Sequence, residues 1–543
     1  MTGAVIENMG YWSLLPPLFT VVVALVFKDV VLALLTGICS GVVIVNRGDV
    51  ATSAVQIVDR IASSLCDAWN IRIFLFCALL GAFVAVLSRT GSAAAFGSWA
   101  AGRLKSRRGT MFFTFFFGIL IFIDDYFNSL SVGTAMRPVC DRMKISRAKL
   151  AYLLDSTAAP ICIIAPVSSW VVTVMSYVRK SEGFQTLGIS EFDFFLKMIP
   201  YNVYVIFTLL FIFAMIIFDF DFGPMAKAEK RAASGKGLFD QERYGEIISE
   251  EKIVQNERAK PLDMIFPLVV LIAAAVMSFP LTTYYLAVKG GKAASITAAY
   301  SSMSMIDAFR NTDVSCALFY SIVFSLAVVI LWFLFRRLLK LNEISEAITS
   351  GVQSMIPALV ILVLAWTIGG VIRSTPAEGG VGLGNYLAAL VKSGFFQFVF
   401  LPGAVFVLSC IIAFSTGTSW GCMAIMIPVT MPIAVSAAQV HDPANPLPGV
   451  MFVVSAAVGG AIFGDHASPI SDTTILSSTG AGCPCLEHVS TQLPYAGFIA
   501  ICSLIGCVAG SFFMSVCSAY IATGIVCVAG TVFFVLRSRK VKA

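Results

Sequence analysis

Apolar runs recur along the whole chain, at 11–27, 30–45, 71–87, 111–123, 150–178, 198–218 and 264–279, then at 314–335, 356–372, 396–413, 422–438, 450–463, 495–517 and 521–536. About twenty mostly apolar residues suffice to cross the hydrocarbon core of a bilayer as a helix. In lipid each backbone N–H and C=O must find its partner within the chain, so segments of this kind are helical. With 58% hydrophobic and only 13% charged residues, the sequence excludes a soluble domain of this length. It reads as an all-α polytopic membrane protein, multi-pass in the cell membrane, with the lipid bilayer as its first partner. Several runs are too short to cross alone, and these are the informative ones.

Charge orients the spans. Lys and Arg number 37 against 31 Asp and Glu, and the basic residues sit in the connections. This pattern is the positive-inside bias of a membrane protein and not a nucleic-acid footprint, so no nucleic-acid partner is expected. The run at 11–27 follows no basic n-region and no small-residue cleavage site, so it reads as a first span. The polar segment 219–261, the stretch Arg336-Arg337 with Lys340, and the tail at 537–540 are assigned to the cytoplasm. Counting back puts the basic stretches at 103–108 and 137–149 inside as well. The segment 111–136 between them must then enter and leave by one face, as a re-entrant hairpin with 124–129 at its tip. The same count in the second half gives a hairpin entering from outside, with its tip at 415–421. The runs 150–178 and 450–476 each cross once and are read as broken, near Asp155 and near Asp465.

The two halves therefore mirror one another. Gly81-Ala-Phe-Val-Ala-Val-Leu-Ser-Arg-Thr resembles Gly369-Gly-Val-Ile-Arg-Ser-Thr, and Leu153-Leu-Asp-Ser-Thr-Ala-Ala-Pro resembles Phe463-Gly-Asp-His-Ala-Ser-Pro. Copies of opposite topology, each with a helix broken near the midplane, are the architecture of many secondary transporters. The expectation is about eleven transmembrane helices plus two re-entrant hairpins, in two inverted repeats with broken helices. Residues 1–219 form the first repeat (hairpin 110–137, broken helix 150–178) and 220–260 a cytoplasmic linker. Residues 261–517 form the second repeat (hairpin 396–440, broken helix 450–476), and 518–543 an extra span with a basic tail.

The polar residues kept at membrane depth are the candidate site, because a charge near the bilayer centre is costly and usually lines a substrate or ion path. They are Asp124, Asp125, Asn128 and Ser129 at the first tip, and Asp155, Ser156 and Thr157 at the first break. Ser415, Thr416, Gly417, Thr418 and Ser419 form the second tip, and Asp465, His466, Ser468, Ser471, Asp472 and Thr473 the second break. Carboxylate, hydroxyl and freed carbonyl oxygens are hard ligands suited to Na+, while half-helix N-termini suit an anion. Na+ ligation is assigned to Asp155, Asp465, Asp472 and Thr473. A buried Asp also takes a proton, since burial raises its pKa and a bound cation lowers it, which sets Na+ and H+ in competition.

Structural readings stand beside these. Asp124 and Asp125 are also good caps for a half-helix, and Ser471-Asp-Thr-Thr is good capping chemistry for the helix after Pro469. His466 is a pH sensor or a hydrogen-bonded structural residue. Arg89 and Arg373 read as interface residues, the alternative being a substrate carboxylate, and Trp170 and Trp420 as packing aromatics. The fourteen Cys are scattered through apolar runs, and Cys483-Pro-Cys485 lacks zinc spacing, so no cofactor is expected beyond coupling ions.

These residues carry a resemblance. Gly464-Asp-His-Ala-Ser-Pro-Ile-Ser-Asp-Thr-Thr resembles the Gly-Asp-x-x-Ser-Pro-x-Ser-Asp-Thr-Thr signature of the NhaC family of Na+/H+ antiporters. Ser415-Thr-Gly-Thr-Ser-Trp-Gly is similar to a second segment of that family, and Asp125-Tyr-Phe-Asn-Ser-Leu and Asp155-Ser-Thr-Ala-Ala-Pro resemble first-half counterparts in one branch. The matches run from about Phe122 to Pro494. The resemblance implies the hairpin and broken-helix fold of the ion transporter superfamily, often dimeric, so a homodimer built on the first two spans and 198–218 is a further expectation. It implies secondary active transport with Na+ or H+ as the coupling partner. Its leading form is Na+/H+ antiport by alternating access; the alternative is Na+- or H+-coupled movement of a small organic solute, an amino acid or a carboxylate such as malate or lactate. An enzyme is not expected. Phe463-Gly-Asp resembles half of the Gly-x-Gly-Asp motif of intramembrane aspartyl proteases, but Ile462 stands where the first Gly belongs and no Tyr-Asp partner precedes it.

Overall fold

The computed structural model describes residues 8–542 apart from 28, 123, 167, 182, 245–255, 311, 384, 387–388, 390–396 and 470. Among the described residues the regular structure is entirely helical. The first half contains α1 (Leu15–Phe27), α2 (Val30–Val45), α3 (Val50–Cys66), α4 (Ala68–Arg89), α5 (Ser92–Arg103) and α6 (Arg107–Leu120). It continues with α7 (Asp125–Arg142), α8 (Arg147–Cys162), α9 (Ser169–Lys180), α10 (Glu191–Met198) and α11 (Val203–Phe218). Next come α12 (Gly223–Ala233) and the short α13 (Gln241–Tyr244). The second half contains α14 (Leu262–Lys289), α15 (Ile296–Ser302), α16 (Met305–Arg310), α17 (Val314–Phe335) and α18 (Leu341–Arg373). It ends with α19 (Leu401–Thr416), α20 (Ser419–His441), α21 (Leu447–Ala467), α22 (Asp472–Ala481), α23 (Cys485–Phe513) and α24 (Val516–Lys542).

Short polar residues set the starts. Asp29, Asp49, Asp67, Ser106, Asp124, Ser146, Ser168, Asp313, Thr418 and Ser471 each accept a hydrogen bond from a backbone N–H in the first turn of the helix that follows. Such caps satisfy donors that a helix cannot satisfy itself, which matters most where no water is at hand. At the second tip Gly417 stops α19 with φ +70°, a left-handed turn that costs glycine little.

Eleven of the described helices are long and apolar enough to cross a membrane. Phe398–Thr416 and Ser419–His441, the two limbs of the second expected hairpin, are in that set; α6 and α7, the limbs of the first, are not. The first crossing breaks later than its sequence implies. Pro160 lies inside α8, which continues to Cys162 before the turn that Ser168 closes. Proline removes one donor and leaves the carbonyl of Ser156 without its helical partner, yet does not end the helix. Asp155 therefore sits two turns inside a continuous helix, whereas Asp465 lies two residues from the end of α21.

The helix pairings come in matched sets. α1 packs on α2 as α14 packs on α17, α2 packs on α18 as α17 packs on α4, and α7 packs on α22 as α20 packs on α9. α4 meets α18, and α11 meets α23, directly. Two of these crossings are glycine on glycine. A Cβ on Gly81 would stand 2.4 Å from the carbonyl oxygen of Gly351, and one on Gly480 would stand 2.5 Å from that of Ser129, beside Gly133. Small residues let helices approach in a membrane, where packing rather than the hydrophobic effect holds them together. Gly480→Leu must force α22 from α7, at an overpacking cost of about 1–3 kcal/mol. The expected result is a lower melting temperature in detergent and impaired transport, while Gly497→Leu, whose added Cβ meets no neighbour, leaves both unchanged.

The start of the 220–260 linker is docked on the protein. α12 buries Met225, Ala228, Glu229 and Ala232. Glu229 pairs with Arg107 and accepts from the Ser146 hydroxyl at 2.5 Å, and Arg231 pairs with Glu487. Beside them Asp221 takes the buried Lys149 ammonium and the Tyr495 hydroxyl, the latter at 2.7 Å.

Candidate functional site

α21 is buried along almost its whole length, and Gly464 lets it lie against the backbone of α19. One residue on, the Asp465 carboxylate is 2% exposed. The Ser419 hydroxyl, from the first turn of α20, donates to its Oδ2 at 2.5 Å, and the Ser471 hydroxyl donates to its Oδ1. Ser471 also caps α22, accepting from Thr474 N, and its oxygen lies 3.0 Å from the Thr473 hydroxyl. Asp465 is thus held by hydroxyls from two helix N-termini, with no Lys or Arg partner among the described residues. That arrangement satisfies the charge without neutralising it, and leaves it open to a cation or a proton.

A second buried carboxylate lies close by. Asp155 Oδ2 is within 3.1 Å of His488 Nε2, accepts from Gln492 Nε2 at 2.7 Å, and lies 3.5 Å from the Thr474 hydroxyl; its Oδ1 has no partner. The same Gln492 amide donates to the carbonyl of His466, and Thr474 Oγ1 lies 3.3 Å from the carbonyl of Asp465. Gln492 and Thr474 therefore join the Asp155 carboxylate to the backbone carbonyls of His466 and Asp465. His466 is buried with neither ring nitrogen hydrogen-bonded, and its ring meets Tyr204 edge-on with centroids 6.0 Å apart.

The third cluster is at the start of α7. Asp124 caps the helix through Phe127 N at 3.1 Å, and the Ser169 hydroxyl donates to its Oδ2 at 3.3 Å. Asp125 is 1% exposed, with neither oxygen hydrogen-bonded. Trp170 of α9 meets Trp420 of α20 edge to face, with centroids 5.9 Å apart.

The other expected residues have different placements. Asn128 donates through Nδ2 to the carbonyls of Gly118 and Ile121 at 2.7 and 2.8 Å and to that of Thr157 at 3.3 Å, tying α6 to α7 and α8. Ser129 pairs with Ser477 at 3.2 Å where α7 crosses α22. Ser156 is buried, and Thr157 donates to the carbonyl of Leu153 at 2.7 Å. Thr416 donates to the carbonyl of Ile412 at 2.8 Å, Thr418 caps α20, and Ser468 donates to the carbonyl of Phe414 at 2.8 Å. Ser415 is half-buried and Gly417 buried at the turn. Asp472 is exposed and accepts from the Tyr126 hydroxyl at 3.2 Å; it does not join Asp465. Arg89 pairs with Glu346 at 2.9 Å, and the side chain of Arg373 lies outside the described residues.

His488, Gln492 and Ser169 were not singled out from the sequence, and Thr474 only as part of the Ser471-Asp-Thr-Thr cap. A signal existed for two of them, because His488 and Gln492 are spaced i, i+4 and so share one helix face.

Comparison with known proteins bears on this arrangement. A family model described as the Na+/H+ antiporter family matches residues 161–512, which takes in the Asp465 centre and begins after Asp155. A Haemophilus influenzae protein described as uncharacterized is 36% identical over 529 residues, 95% of this chain and 94% of its own length. A Bacillus subtilis protein named malate-2H(+)/Na(+)-lactate antiporter is 29% identical over 199 residues, 35% of this chain and 38% of its own. The crystal structure of the Alcanivorax borkumensis YdaH transporter is similar with a TM-score of 0.50 at 12% identity, covering 88% of this chain and 90% of that one, a likeness of fold alone.

Proposed function

The chain belongs to the Na+/H+ antiporter family, a multi-pass membrane secondary transporter and not an enzyme, and from that premise we propose that Na+ and H+ compete for Asp465. The observation that carries this is the hydroxyl cage: both carboxylate oxygens of a buried Asp are held by Ser419 and Ser471, from two different helix starts. Those hydroxyls have oxygen lone pairs to turn toward an ion, and with the Thr473 hydroxyl and the carboxylate itself they form a hard, all-oxygen ligand set. Asp155, joined through Thr474 and Gln492, is the second carboxylate of the exchange.

Alternating access follows from two inverted repeats moving about this centre, with the domain bounds and tip-inward hairpins expected from charge. The matched helix pairings and the crosswise packing of α7 on α22 and α20 on α9 support this reading. The test is proteoliposomes holding a pH dye. An imposed Na+ gradient is expected to drive proton movement in the opposite direction, and a Na+ gradient without any proton flux would sink the proposal.

A second reading, a small organic solute carried with the ions, is favoured by one feature. Asp125 is a buried carboxylate with neither oxygen hydrogen-bonded, next to Asp124, whose Oδ2 accepts from Ser169 at the start of α9. The Bacillus subtilis relative is named for malate and lactate. Saturable Na+-dependent uptake of labelled malate, lactate or an amino acid supports this reading; uptake that is unsaturable and indifferent to Na+ removes it.

A further inference from the structure

Away from the ion site, a cavity of about 1000 Å³ opens where α12, the end of α24 and the start of α6 meet. Its rim carries Arg107, Lys227, Lys230 and Arg537, and its wall includes Phe222 and Phe534. These two rings stack with centroids 3.8 Å apart and planes 7° apart. Among the acidic wall residues, Glu229 is paired with Arg107 and Asp221 with Lys149. Lys227, Lys230 and Arg537 remain, against the single carboxylate of Asp219, so the cavity is positive.

Its position names the occupant. Arg537 ends the span Val516–Arg537, of which only 17% is buried within the protein, and Phe533 and Leu536 next to it are more than half exposed. The cavity mouth thus meets the bilayer at the level where an apolar span gives way to charge, on the face that the basic connections assign to the cytoplasm. We propose that this cavity is a binding site for the phosphate headgroup of an anionic phospholipid, with Lys227, Lys230 and Arg537 on the phosphate and the Phe222–Phe534 stack against the glycerol and upper acyl chain. An inner-leaflet anionic lipid meets the positive charge, and the aromatic wall suits the apolar half of the same molecule. A soluble phosphate compound would satisfy the cations but leave that wall without an apolar partner.

The full-length protein in detergent, titrated with short-chain phosphatidylglycerol, is expected to gain several degrees of thermal stability; phosphatidylcholine and free glycerol phosphate give no comparable shift. Lys227→Gln/Lys230→Gln should raise the half-saturating phosphatidylglycerol concentration by about fivefold for each cation removed. Lys227→Arg/Lys230→Arg should retain wild-type binding, which separates loss of charge from loss of fold. Native mass spectrometry, counting retained phosphatidylglycerol, reads the same difference independently of melting. Equal stabilisation by phosphatidylcholine, or a Gln variant with the wild-type response in both measurements, overturns the proposal. A shift with glycerol phosphate as large as with the lipid overturns the membrane source.

Discussion

Asp465→Asn is expected to lower Na+-driven proton flux in proteoliposomes about a hundredfold, with the protein still folded. Removing one charged member of a buried ion interaction typically costs about 3–5 kcal/mol, and about 1.4 kcal/mol is a factor of ten. Asn keeps the volume of Asp and an oxygen able to accept from the Ser419 hydroxyl, so the close fit of α20 against α21 survives the change. The side chain can no longer hold a proton or balance the charge of Na+. Ser419→Ala is expected to give a milder defect, about tenfold in half-saturating Na+, because it removes one hydrogen bond to a charged group and leaves the carboxylate. In the wild type, half-saturating Na+ should rise as pH falls, since a protonated carboxyl is a poor ligand. A Na+ requirement independent of pH, or an Asp465→Asn variant exchanging at the wild-type rate, removes Asp465 from the exchange.

The Asp465 centre was legible in the sequence for an energetic reason. A carboxylate in an otherwise apolar run is conspicuous, and Pro469 with Ser471 marked the interruption beside it. Asp155 was legible as a residue but its setting was not: Pro160 reads as a break, while α8 absorbs it and turns only after Cys162. Asp472 misleads in the opposite way. It belongs to the motif and lies next to Thr473 and Thr474, but consecutive positions on a helix point about 100° apart, so Asp472 is exposed while its neighbours are buried. Asn128 carries the right chemistry for an ion, yet Nδ2 reaches carbonyls 10, 7 and 29 residues away, contacts that only the fold brings together. His488 and Gln492 lie ahead of the apolar run 495–517, so that run does not reveal them, whereas α23 begins at Cys485 and carries both into the core.

That extension of α23 leads to the second large effect. Gln492→Leu removes the amide donated at once to Asp155 Oδ2 and to the His466 carbonyl. The replacement is similar in size and apolar, so the helix keeps its packing while a buried carboxylate loses one of its donors, at about 1–3 kcal/mol. The expected outcome is a ten- to hundredfold slower exchange, by the conversion of about 1.4 kcal/mol per decade. The stronger prediction concerns non-additivity. If Gln492 acts by holding Asp155 in register with α22, then Gln492→Leu should add little to Asp155→Asn, because the carboxylate that the amide positions is already gone. Two independent contributions would instead multiply, and groups in one hydrogen-bond network are where additivity is expected to fail. Initial exchange rates of the four proteins in such a cycle, at equal reconstituted density, distinguish the cases. A double variant slower than the wild type by the product of the two single effects would separate Gln492 from Asp155, and the coupling of the Asp155 and Asp465 centres would then rest on Thr474 alone.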